Sequence, residues 1–421
     1  MRVLVVGSGG REHALVWALS RAPGTEVLAA PGNPGMAEQA RLLDVGVGDR
    51  SGLVRAAVEQ EVDLVVVGPE APLVAGIADE MAANGVTCLG PGSSGAALEG
   101  SKWFAKLLMR EAGVRCAEGR IFESSGEAMS FIGSRAADWV IKADGLAAGK
   151  GVFLPATRDE ALEILQRLES GALGDCGRRF IVERRLPGRE VSVIALCSGT
   201  SAIVMPPSRD HKRVGDGDTG PNTGGMGAVS PPPGLPAGFS LMVLETVFLP
   251  VLEVLEGRGI DYRGALYAGL IVDADAVPSV LEFNVRLGDP ETQAVLPLAD
   301  GGEFLEACYR AARGEPLEES GVVRAGQCSA CIVVASRGYP GSYGKGFEIS
   351  GLDDLSDPDL LVFHAGTALD EHQRLVTAGG RVLCVTGLGE TLEEALETAY
   401  GGVGRIGFEG MIFRKDIGRT Q

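Results

Sequence analysis

The first hundred residues of this 421-residue chain alternate short apolar runs with helical patterns, and each run ends in a loop rich in glycine and proline. The runs that we predict as strands are Arg2–Val6, Val27–Ala30, Leu64–Val67 and Val86–Leu89. Strands that alternate with helices form right-handed βαβ units, so the pattern predicts an α/β fold with a parallel sheet. Because ligands bind beyond the carboxyl ends of such strands, the four loops predict one binding edge.

The balance of charge limits the partners that we expect for this chain. Lys and Arg total 38 against 56 Asp and Glu, which gives a formal net charge of −18. Nucleic acid is therefore not the expected partner, because phosphate-backbone binding needs a concentrated basic face. No apolar run approaches the ~20 residues of a membrane span, and Met1–Gly10 lacks the apolar region of a signal peptide. We expect a cytoplasmic protein that binds neither nucleic acid nor a membrane.

The eight cysteines of the chain do not predict a disulfide framework or a zinc site. Cys328 and Cys331 have C-x-x-C spacing, but no second Cys or His pair nearby completes a set of four zinc ligands. The apolar residues that follow favour a buried strand.

Two further regions have their own patterns of strands and helices. The stretch from about Phe122 to Glu190 predicts a small α+β lid, with strands at Trp139–Ala143, Gly151–Pro155 and Phe180–Glu183 and a helix from about Arg158 to Leu168. The C-terminal region predicts strands at Ala330–Ala335, Leu361–His364 and Val382–Thr386 and a helix near Thr391–Tyr400.

The first glycine-rich loop, Gly7–Gly10, does not fit a dinucleotide site. In G-x-G-x-x-G the third glycine would fall on Glu12, and the second strand ends at Pro31-Gly32-Asn33 without the acidic residue that binds a ribose. What remains is a glycine turn that leads into a helix beside Arg11. Exposed N–H groups, the helix dipole and a guanidinium suit a phosphate monoester, and a merely tight βα turn is the alternative.

A second glycine-rich loop spans Gly145–Gly151. It is one residue shorter than a P-loop, Gly151 replaces the Ser or Thr that would hold magnesium, and it joins two strands instead of a strand and a helix. Such a loop can fold over a triphosphate and present backbone N–H groups and Lys150. The alternative is a solvent-exposed hairpin of small residues.

The densest polar stretch of the sequence lies within Pro206–Gly227. A loop of this length without its own secondary structure is usually functional or disordered, and the paired glycines favour close approach of the backbone to a ligand.

A strand near residue 283 carries oxygen ligands on one face. Glu282, Asn284 and Arg286 alternate with apolar residues, so they should share a face of the strand. A carboxylate and an amide two residues apart can bind Mg²⁺ together with phosphate oxygens. A structural face of ion pairs is the alternative, and the spacing alone does not decide between the two.

Taken together, these motifs resemble those of the ATP-grasp ligases, and within them the phosphoribosylamine–glycine ligase family of purine biosynthesis. The resemblance covers essentially the whole chain, and the long Asp210–Gly227 motif is its most specific part. The segments that carry it are Gly9–Ala14, Ala30–Gly35, Gly68–Leu73, Glu99–Lys102, Lys142–Gly151, Asp210–Gly227, Gly288–Gln293 and Phe363–Thr367.

The resemblance implies an ATP-grasp fold with an N-terminal parallel-sheet substrate domain, an inserted α+β lid and a C-terminal domain. The implied boundaries are 1–100 for the N-terminal domain, 101–122 and 191–325 for the ATP-grasp A domain, 123–190 for the B domain or lid, and 326–421 for the C-terminal domain.

The resemblance also assigns roles to individual residues. The residues implied to bind ATP are Lys106, Lys142, Gly149, Lys150 and Gly151, with Glu183 at the adenine amine and Glu190 at the ribose. The implied metal ligands, for Mg²⁺ or Mn²⁺, are Glu282 and Asn284. The residues implied on the substrate side of the reaction are Asp210, Lys212 and Arg286, with Asp210 a candidate general base. The residues implied to hold the ribose phosphate are Gly9, Gly10, Arg11, Glu12, Gly32, Asn33, Pro69 and Glu70.

The chain departs from the family pattern in two places. Arg184 and Arg185 stand where the family has an acidic and an aromatic residue, which should change the wall of the adenine pocket. Val285 and Leu287 replace the more usual Ala and Phe, and we expect both to point to the packed face of the strand.

The activity that the resemblance implies is ligation of glycine to 5-phosphoribosylamine, with cleavage of ATP to ADP and phosphate. The expected partners are these small-molecule substrates, and we expect a monomer. An ATP-grasp ligase with a different amine substrate is the nearest alternative. A non-catalytic nucleotide-binding module is a more distant one, and the incomplete dinucleotide motif disfavours an oxidoreductase.

Overall fold

The computed structural model describes residues 1–147, 151–318, 321–324 and 326–419. Within these residues, no helix combines the length and the apolar character that are needed to cross a membrane.

The N-terminal region forms the parallel sheet that its sequence predicts. Its strands are β1 (Arg2–Gly7), β2 (Glu26–Pro31), β3 (Arg41–Leu42), β4 (Leu64–Val67) and β5 (Cys88–Leu89). They lie in the order β3-β2-β1-β4-β5, and every pair is parallel. The helices of this region are α1 (Gly10–Ser20), α2 (Arg50–Glu59), α3 (Glu70–Val74), α4 (Ile77–Ala83) and α5 (Ser93–Gly100). The short edge strand β3 is the one strand of this sheet that the sequence analysis did not predict.

Helix α6 (Lys102–Glu111) leads into a separate four-stranded antiparallel sheet, which forms the lid. The lid contains β6 (Gly119–Phe122), α7 (Ser125–Ile132), β7 (Trp139–Ala143), β8 (Val152–Phe153), α8 (Arg158–Glu169) and β9 (Phe180–Arg184). The strand order is β6-β9-β7-β8, and the two helices share one small hydrophobic core with the sheet. Strand β6 precedes residue 123 but pairs with β9, so the sheet of the lid starts before the boundary that the resemblance implies.

The central region is built on an antiparallel sheet. In chain order its elements are β10 (Arg189–Ser198), β11 (Ser201–Val204), β12 (Arg209–Asp210), β13 (Arg213–Gly215), β14 (Thr219–Asn222), β15 (Gly227–Ser230), α9 (Phe239–Val243), α10 (Leu249–Gly257), β16 (Arg263–Val272), β17 (Pro278–Asn284), α11 (Glu291–Val295) and α12 (Gly301–Arg313). Four of these strands form the sheet β11-β10-β16-β17, and β13 pairs with β14 in a hairpin.

The C-terminal region completes a sheet that begins in the central region. Its elements are β18 (Cys328–Ser336), β19 (Leu360–His364), β20 (Thr367–Leu369), β21 (Leu375–Thr377), β22 (Arg381–Gly389), α13 (Leu392–Val403) and β23 (Met411–Ile412). The sheet has the order β12-β15-β18-β22-β19, and β23 also pairs with β18. The predicted strands are thus present, and Cys331 is a buried free thiol in β18.

The polar stretch 206–227 differs from its prediction. The sequence predicts a long loop without secondary structure, but the structure places β12, β13 and β14 within it. For β12 the physical reason is tertiary, because it pairs with β15, which in turn pairs with β18 of the C-terminal region. Strands β13 and β14 pair with each other, in a local hairpin whose glycine-rich and polar sequence lacks the apolar alternation of a predicted strand.

The N-terminal loops meet the C-terminal region through a group of buried polar side chains. Asn33 Nδ2 donates hydrogen bonds to the carbonyl oxygens of Ser8 (2.9 Å) and His364 (2.8 Å). The backbone N–H of His364 donates in turn to His13 Nδ1 at 2.8 Å. Burial, and then the neighbouring His364, lower the pKa of His13 to about 3, so its imidazole is neutral in the folded protein.

The buried imidazole of His13 should make the protein less stable in mild acid. The unfolded chain takes up a proton on this group below about pH 6.5, whereas the folded protein does so only near pH 3. The contribution of His13 to the free energy of unfolding is therefore complete above about pH 6.5. It should fall by up to about 1.4 kcal/mol for each pH unit below that value. Urea unfolding at a series of pH values measures this slope.

Two variants isolate the contribution of His13. In His13→Asn the amide oxygen can still accept the N–H of His364, but the side chain does not titrate, so the decline in stability should flatten. The matched control is His372→Asn, because His372 is exposed, and it should decline as the wild type does. Equal slopes for His13→Asn and the wild type would contradict the prediction.

Candidate active site

One buried carboxylate, that of Glu183, lies between two lysine ammonium groups. Oε2 of Glu183 is 2.8 Å from Lys106 Nζ, and Oε1 contacts Lys142 Nζ. The ammonium groups also donate to backbone carbonyl oxygens, Lys106 to Ala117 at 2.7 Å and Lys142 to Leu281 at 2.9 Å. Two ammonium groups around one carboxylate leave one positive charge in excess at this point, which suits the binding of a phosphate group.

The local sequence explains how these three side chains meet. Helix α6 begins at the N-cap Ser101 and carries Lys106 on its buried face. Lys142 and Glu183 lie on neighbouring strands of the lid, where Val140 pairs with Glu183, so the two side chains are diagonal neighbours on one face of the sheet. A β-bulge at Leu281 leaves that residue outside the regular pairing of β16 with β17, and its carbonyl is the one that Lys142 reaches.

The electrostatic surroundings keep Glu183 ionised. Burial by itself raises the pKa of this carboxyl group, but the ammonium groups of Lys142 and Lys106 more than compensate, and the net pKa is below its ordinary value. Each carboxylate oxygen of Glu183 contacts one lysine, so its observed role is to pair with those two ammonium groups. The adenine contact that the resemblance implies for Glu183 stays a prediction.

A second group of charges lies around Lys212. Its Nζ is 3.2 Å from Glu190 Oε2 and 3.9 Å from Glu282 Oε1. Burial alone would lower the pKa of Lys212, but the two carboxylates raise it well above its ordinary value. Lys102 lies nearby, where its Nζ donates to the carbonyl oxygen of Gly145 at 2.9 Å and burial lowers its pKa.

The strand that was predicted to carry metal ligands alternates as expected. Between residues 282 and 287, the partly exposed residues are Glu282, Asn284 and Arg286. The buried residues between them are Phe283, Val285 and Leu287. The shared face is thus confirmed, and so is the packed position of the two residues that depart from the family pattern.

Glu282 and Asn284 fit a divalent cation by the chemistry of their donor atoms. Burial by itself raises the pKa of Glu282, but the ammonium groups of Lys212, Lys142 and Lys102 outweigh burial. The net pKa lies below its ordinary value, so the carboxylate is ionised. Among the residues that the structure describes, no three or more His, Cys, Asp or Glu side chains are grouped so as to hold a metal ion. Further oxygen ligands, such as those of a nucleotide's phosphates, would therefore have to complete the coordination sphere.

Asp210 is a carboxyl group whose surroundings favour its protonated form. Its Oδ1 is buried and has no hydrogen-bond partner within the described part of the chain. Burial, and then the neighbouring charge of Glu291, raise the pKa of Asp210 well above its ordinary value. Glu291 is itself held by hydrogen bonds from Tyr267 Oη (2.9 Å) and Ser192 Oγ (3.2 Å). A buried carboxyl group with a raised pKa is a candidate for proton transfer.

Arg286 connects the central sheet to the N-terminal domain. Its Nε is 3.3 Å from Glu70 Oε2, and its Nη2 is 3.3 Å from Glu99 Oε1. Glu99 also accepts the backbone N–H of Val285 at 2.8 Å. Burial opposes the charge on Arg286, but these carboxylates raise its pKa above the ordinary value, so the guanidinium is permanently charged.

Glu12, which replaces the third glycine of the dinucleotide motif, turns back onto the first loop. Its Oε2 accepts the N–H of Gly9 at 2.7 Å, and its Oε1 is 2.6 Å from Arg11 Nε. A Cβ atom at Gly7 or Gly68 would collide with this carboxylate side chain, which explains the glycines at the ends of β1 and β4. Arg11 is only 7% exposed, so its phosphate contact stays a prediction that would require rearrangement of the pair with Glu12.

The remaining residues that were predicted to hold a ribose phosphate follow the carboxyl ends of three strands. They are Gly10 after β1, Gly32 and Asn33 after β2, and Pro69 and Glu70 after β4. A Cβ atom at Gly10 would lie 2.8 Å from Gln293 Nε2 and 3.0 Å from Cys384 Sγ. Glycine at this position therefore allows the central and C-terminal regions to approach the first loop.

Part of the predicted triphosphate loop lies outside the described residues, namely Gly149 and Lys150. Gly151 is described, and its carbonyl oxygen accepts the N–H of Ala143 at 2.8 Å across β7 and β8. The guanidinium of Arg184, one of the two departures near the adenine position, lies 4.3 Å from the ring centroid of Trp139. It thus packs on the lid's own surface.

Sequence reasoning assigned no role to two residues that the structure places at the site. Glu99 lies within a quoted motif, but nothing in its spacing indicates a contact with Arg286. Arg381 Nη2 is 2.8 Å from Asp289 Oδ2, although the two residues are 92 positions apart in the chain. A pairing over that distance depends on the assembled fold and leaves no local pattern in the sequence.

Comparison with known proteins agrees with this architecture in all three parts of the chain. Profiles of the phosphoribosylglycinamide synthetase family match residues 1–99 (N domain), 100–292 (ATP-grasp A domain) and 329–420 (C domain). The ATP-grasp fold implies the use of ATP.

Full-length relatives and solved structures support the same assignment. Phosphoribosylamine–glycine ligases of Nostoc sp. and Synechocystis sp. are 45% and 46% identical, each over 99% of both chains. The crystal structure of phosphoribosylamine–glycine ligase from Thermotoga maritima superposes with a TM-score of 0.86 at 35% identity, over 99% of this chain and 100% of that one. The biotin carboxylase domain of Hydrogenobacter thermophilus 2-oxoglutarate carboxylase, solved with MgADP, shares only the fold (17% identity, TM-score 0.75, 98% of this chain and 91% of that one). This chain therefore belongs to the phosphoribosylglycinamide synthetase family.

Proposed function

We infer that this chain ligates glycine to 5-phosphoribosylamine and forms glycinamide ribonucleotide, ADP and phosphate, a step of purine biosynthesis. The observation that carries the inference is the full-length likeness to ligases that bear this name, at 45–46% identity. The charged side chains around Glu183, Lys212 and Glu282, together called the cleft below, support it. A buried lysine pair, a face of oxygen ligands and a charged arginine are what ATP-dependent activation of a carboxylate requires. The geometry of the ATP-grasp cleft alone would not select the amine.

We propose that the reaction passes through glycyl phosphate. A carboxylate is a poor electrophile, so a carboxylate oxygen of glycine first attacks the γ-phosphorus of ATP and releases ADP. The amine nitrogen of phosphoribosylamine then attacks the acyl carbon, releases phosphate and loses a proton. Phosphoryl transfer depends on alignment and charge neutralisation, which the cations Lys106, Lys142 and Arg286 supply without a covalent protein nucleophile. Alignment of bound reactants can contribute on the order of 7–11 kcal/mol.

We propose roles for the charged residues of the cleft from the resemblance to the family together with their described surroundings. Lys106 and Lys142 bind phosphate oxygens, and Glu183 holds both ammonium groups in place. Glu190 contacts the ribose of ATP. Asp210 is the candidate proton acceptor for the amine, after it has lost its own proton.

We propose that Glu282 and Asn284 hold Mg²⁺ or Mn²⁺. The metal ion, when bound, neutralises charge on the phosphate oxygens of ATP. The ammonium group of Lys212 lies 3.9 Å from Glu282 and would remain as a counter-charge for this carboxylate when no metal ion is bound.

We propose that the loops after β1, β2 and β4 hold the phosphate of phosphoribosylamine, with the N–H group of Gly10 as a donor. The expected partners are the small-molecule substrates alone, without nucleic acid or membrane, and we propose a monomer that acts in the cytoplasm. The net charge of −18 favours small-molecule substrates over nucleic acid, because it repels a polyphosphate backbone. A small cationic cleft can still bind single phosphate groups.

An omission assay tests the proposed reaction. The enzyme is mixed with ATP, Mg²⁺, glycine and freshly generated phosphoribosylamine, and each component is then left out in turn. Glycinamide ribonucleotide should form only in the complete mixture, in a one-to-one ratio with ADP. ADP release that ignores phosphoribosylamine would instead indicate a ligase for a different amine, and ATP binding without turnover would indicate a non-catalytic module.

Removal of the ammonium group of Lys142 should greatly reduce the use of ATP. Lys142→Met keeps the length and apolar stem of the side chain but loses the contact with the triphosphate, so kcat/KM for ATP should fall by at least about 100-fold. Lys345→Met is the matched control, because Lys345 is exposed and belongs to no motif of the cleft, and it should retain wild-type turnover. Near-wild-type kcat/KM in Lys142→Met would show that the triphosphate lies elsewhere.

Loss of the carboxylate charge at Glu282 should raise the requirement for metal. In Glu282→Gln, the Mg²⁺ concentration for half-maximal activity should rise by about tenfold or more, because a charged oxygen ligand becomes neutral. The matched control is Glu348→Gln, since Glu348 is exposed and pairs with Arg374 on the C-terminal region. A Mg²⁺ titration of all three enzymes measures the effect, and identical curves would exclude Glu282 as a ligand.

A further inference from the structure

The C-terminal segment 411–419 packs against the polar stretch that carries Asp210 and Lys212. The main contact is made by Arg414, whose side chain is fully buried. Its Nη1 donates to the carbonyl oxygen of Arg213 at 3.1 Å and to Asp218 Oδ1 at 2.6 Å. A fully buried guanidinium is costly unless its donors are paired, and here the partners come from the hairpin β13–β14 and from the segment itself.

Asp416 fixes the guanidinium from the other side. Its two carboxylate oxygens accept from Nε and Nη2 of Arg414, both at 2.8 Å, which is the planar two-bond geometry that arginine forms with carboxylates. Its Oδ2 also accepts the N–H of Gly217 at 2.8 Å, at the tip of the hairpin. The hydrogen bonds from Arg414 are the main cause that lowers the pKa of Asp416 to about 2, so the pair stays charged at neutral pH.

Backbone hydrogen bonds extend the contact along the segment. The N–H of Lys415 donates to Asp216 Oδ1 at 2.8 Å, and the N–H of Gly418 donates to His211 Nε2 at 3.2 Å. Ile417 is completely buried and lies against Gly227, where a Cβ atom would come within 3.0 Å of its side chain. The segment thus contacts the polar stretch from residue 211 to residue 227.

The contacts alternate along the chain between the C-terminal segment and the cleft. His211 and Arg213 interact with the C-terminal segment. Lys212, between them, faces Glu190 and Glu282. The contact at His211 is made by its Nε2 and the contact at Arg213 by its backbone carbonyl oxygen. The chain is therefore held on both sides of Lys212, which restricts the position of the ammonium group between them.

We propose that Arg414, held by Asp416, is a positioning residue for the ligation reaction: it keeps the stretch 210–213 in the place where Asp210 and Lys212 meet the glycine side of the cleft. The proposal rests on the proposed function. The lysine pair Lys106 and Lys142, which is proposed to bind the phosphates of ATP, makes none of its described contacts with this stretch. Loss of the anchor should therefore weaken nucleotide binding much less than the use of glycine, with the remaining effect transmitted through the contact of Lys212 with Glu190.

The test compares Arg414→Ala, Arg414→Lys and Lys415→Ala. For Arg414→Ala we expect the KM for glycine to rise at least tenfold and kcat to fall. The dissociation constant of a non-hydrolysable ATP analogue should change by no more than about threefold, well below the rise in the KM for glycine, because of these residues only Lys212 contacts a nucleotide residue, Glu190. Arg414→Lys keeps the charge but not the planar pair with Asp416, so it should restore part of the loss. Lys415→Ala is the matched control, because this neighbouring side chain is exposed and its backbone N–H is retained.

Hydrogen–deuterium exchange of peptides that cover residues 209–222 supplies a readout that does not depend on activity. Exchange should speed up in Arg414→Ala and not in Lys415→Ala. Faster exchange with unchanged glycine kinetics would overturn the proposal, because the anchor would then be structural only. Parallel losses of thermal stability, nucleotide affinity and kcat would overturn it as well.

Two further outcomes complete the design. Asp218→Asn, at the exposed tip of the hairpin, removes one charged partner of Arg414 but leaves its pair with Asp416 intact. The KM for glycine should therefore rise by about threefold. A wild-type KM for glycine in both Asp218→Asn and Arg414→Lys would contradict the proposal. If the wild-type enzyme forms no glycinamide ribonucleotide, the proposed function fails and the positioning role fails with it, whatever the exchange data show about the anchor.

Discussion

The shared carboxylate of Glu183 is the interaction on which the cleft depends most directly. It lies on β9 of the lid, while one of its two lysine partners belongs to α6, at the start of the central region. Lys142 then connects the same group to the carbonyl of Leu281 on β17. One ionised group therefore fixes the position of the lid sheet relative to the strand that carries the metal-ligand face. Because all three charges are buried, loss of the carboxylate would leave two ammonium groups without their shared counter-charge in a poorly solvated place, at a cost of about 3–5 kcal/mol. Loss of one lysine would instead leave a balanced pair.

The same arrangement explains how an acidic protein can bind anionic substrates. The chain contains only 7 lysines against 31 arginines, and four of those lysines surround the cleft, as Lys102, Lys106, Lys142 and Lys212. Carboxylates pair with them in the unliganded protein and thereby lower the cost of burying several ammonium groups together. The negative surface charge acts at long range and is screened over about 8 Å at physiological ionic strength, whereas the lysines act at contact distance.

Local patterns predicted those features of the molecule that local physics determines. Alternating strands and helices fixed the parallel sheet of the first hundred residues, and a period of two placed Glu282, Asn284 and Arg286 on one face. The bulge at Leu281 was not predictable, because it depends on the pairing of two strands and not on the residue itself. Strand β12 was missed for the same reason, since its partner is β15, which pairs with β18. The hairpin β13–β14 was missed because its polar, glycine-rich residues lack the apolar alternation of a strand. The contacts of Arg381 and Arg414 likewise join residues far apart in sequence.

The weakly exposed arginines and the cleft lysines of this protein occupy different kinds of position. Three arginines with low exposure each join separate parts of the chain: Arg286 joins the central region to α3 and α5, Arg381 joins β22 to the loop at Asp289, and Arg414 joins the C-terminal segment to β13–β14. A planar guanidinium has five donors and can satisfy several acceptors at fixed angles, so it suits permanent junctions between domains. An ammonium group has three donors on a flexible stem and can exchange a carboxylate for a phosphate with little movement. The lysines are therefore suited to positions where partners change, whereas Arg381 and Arg414 join parts of the chain through contacts suited to stay in place.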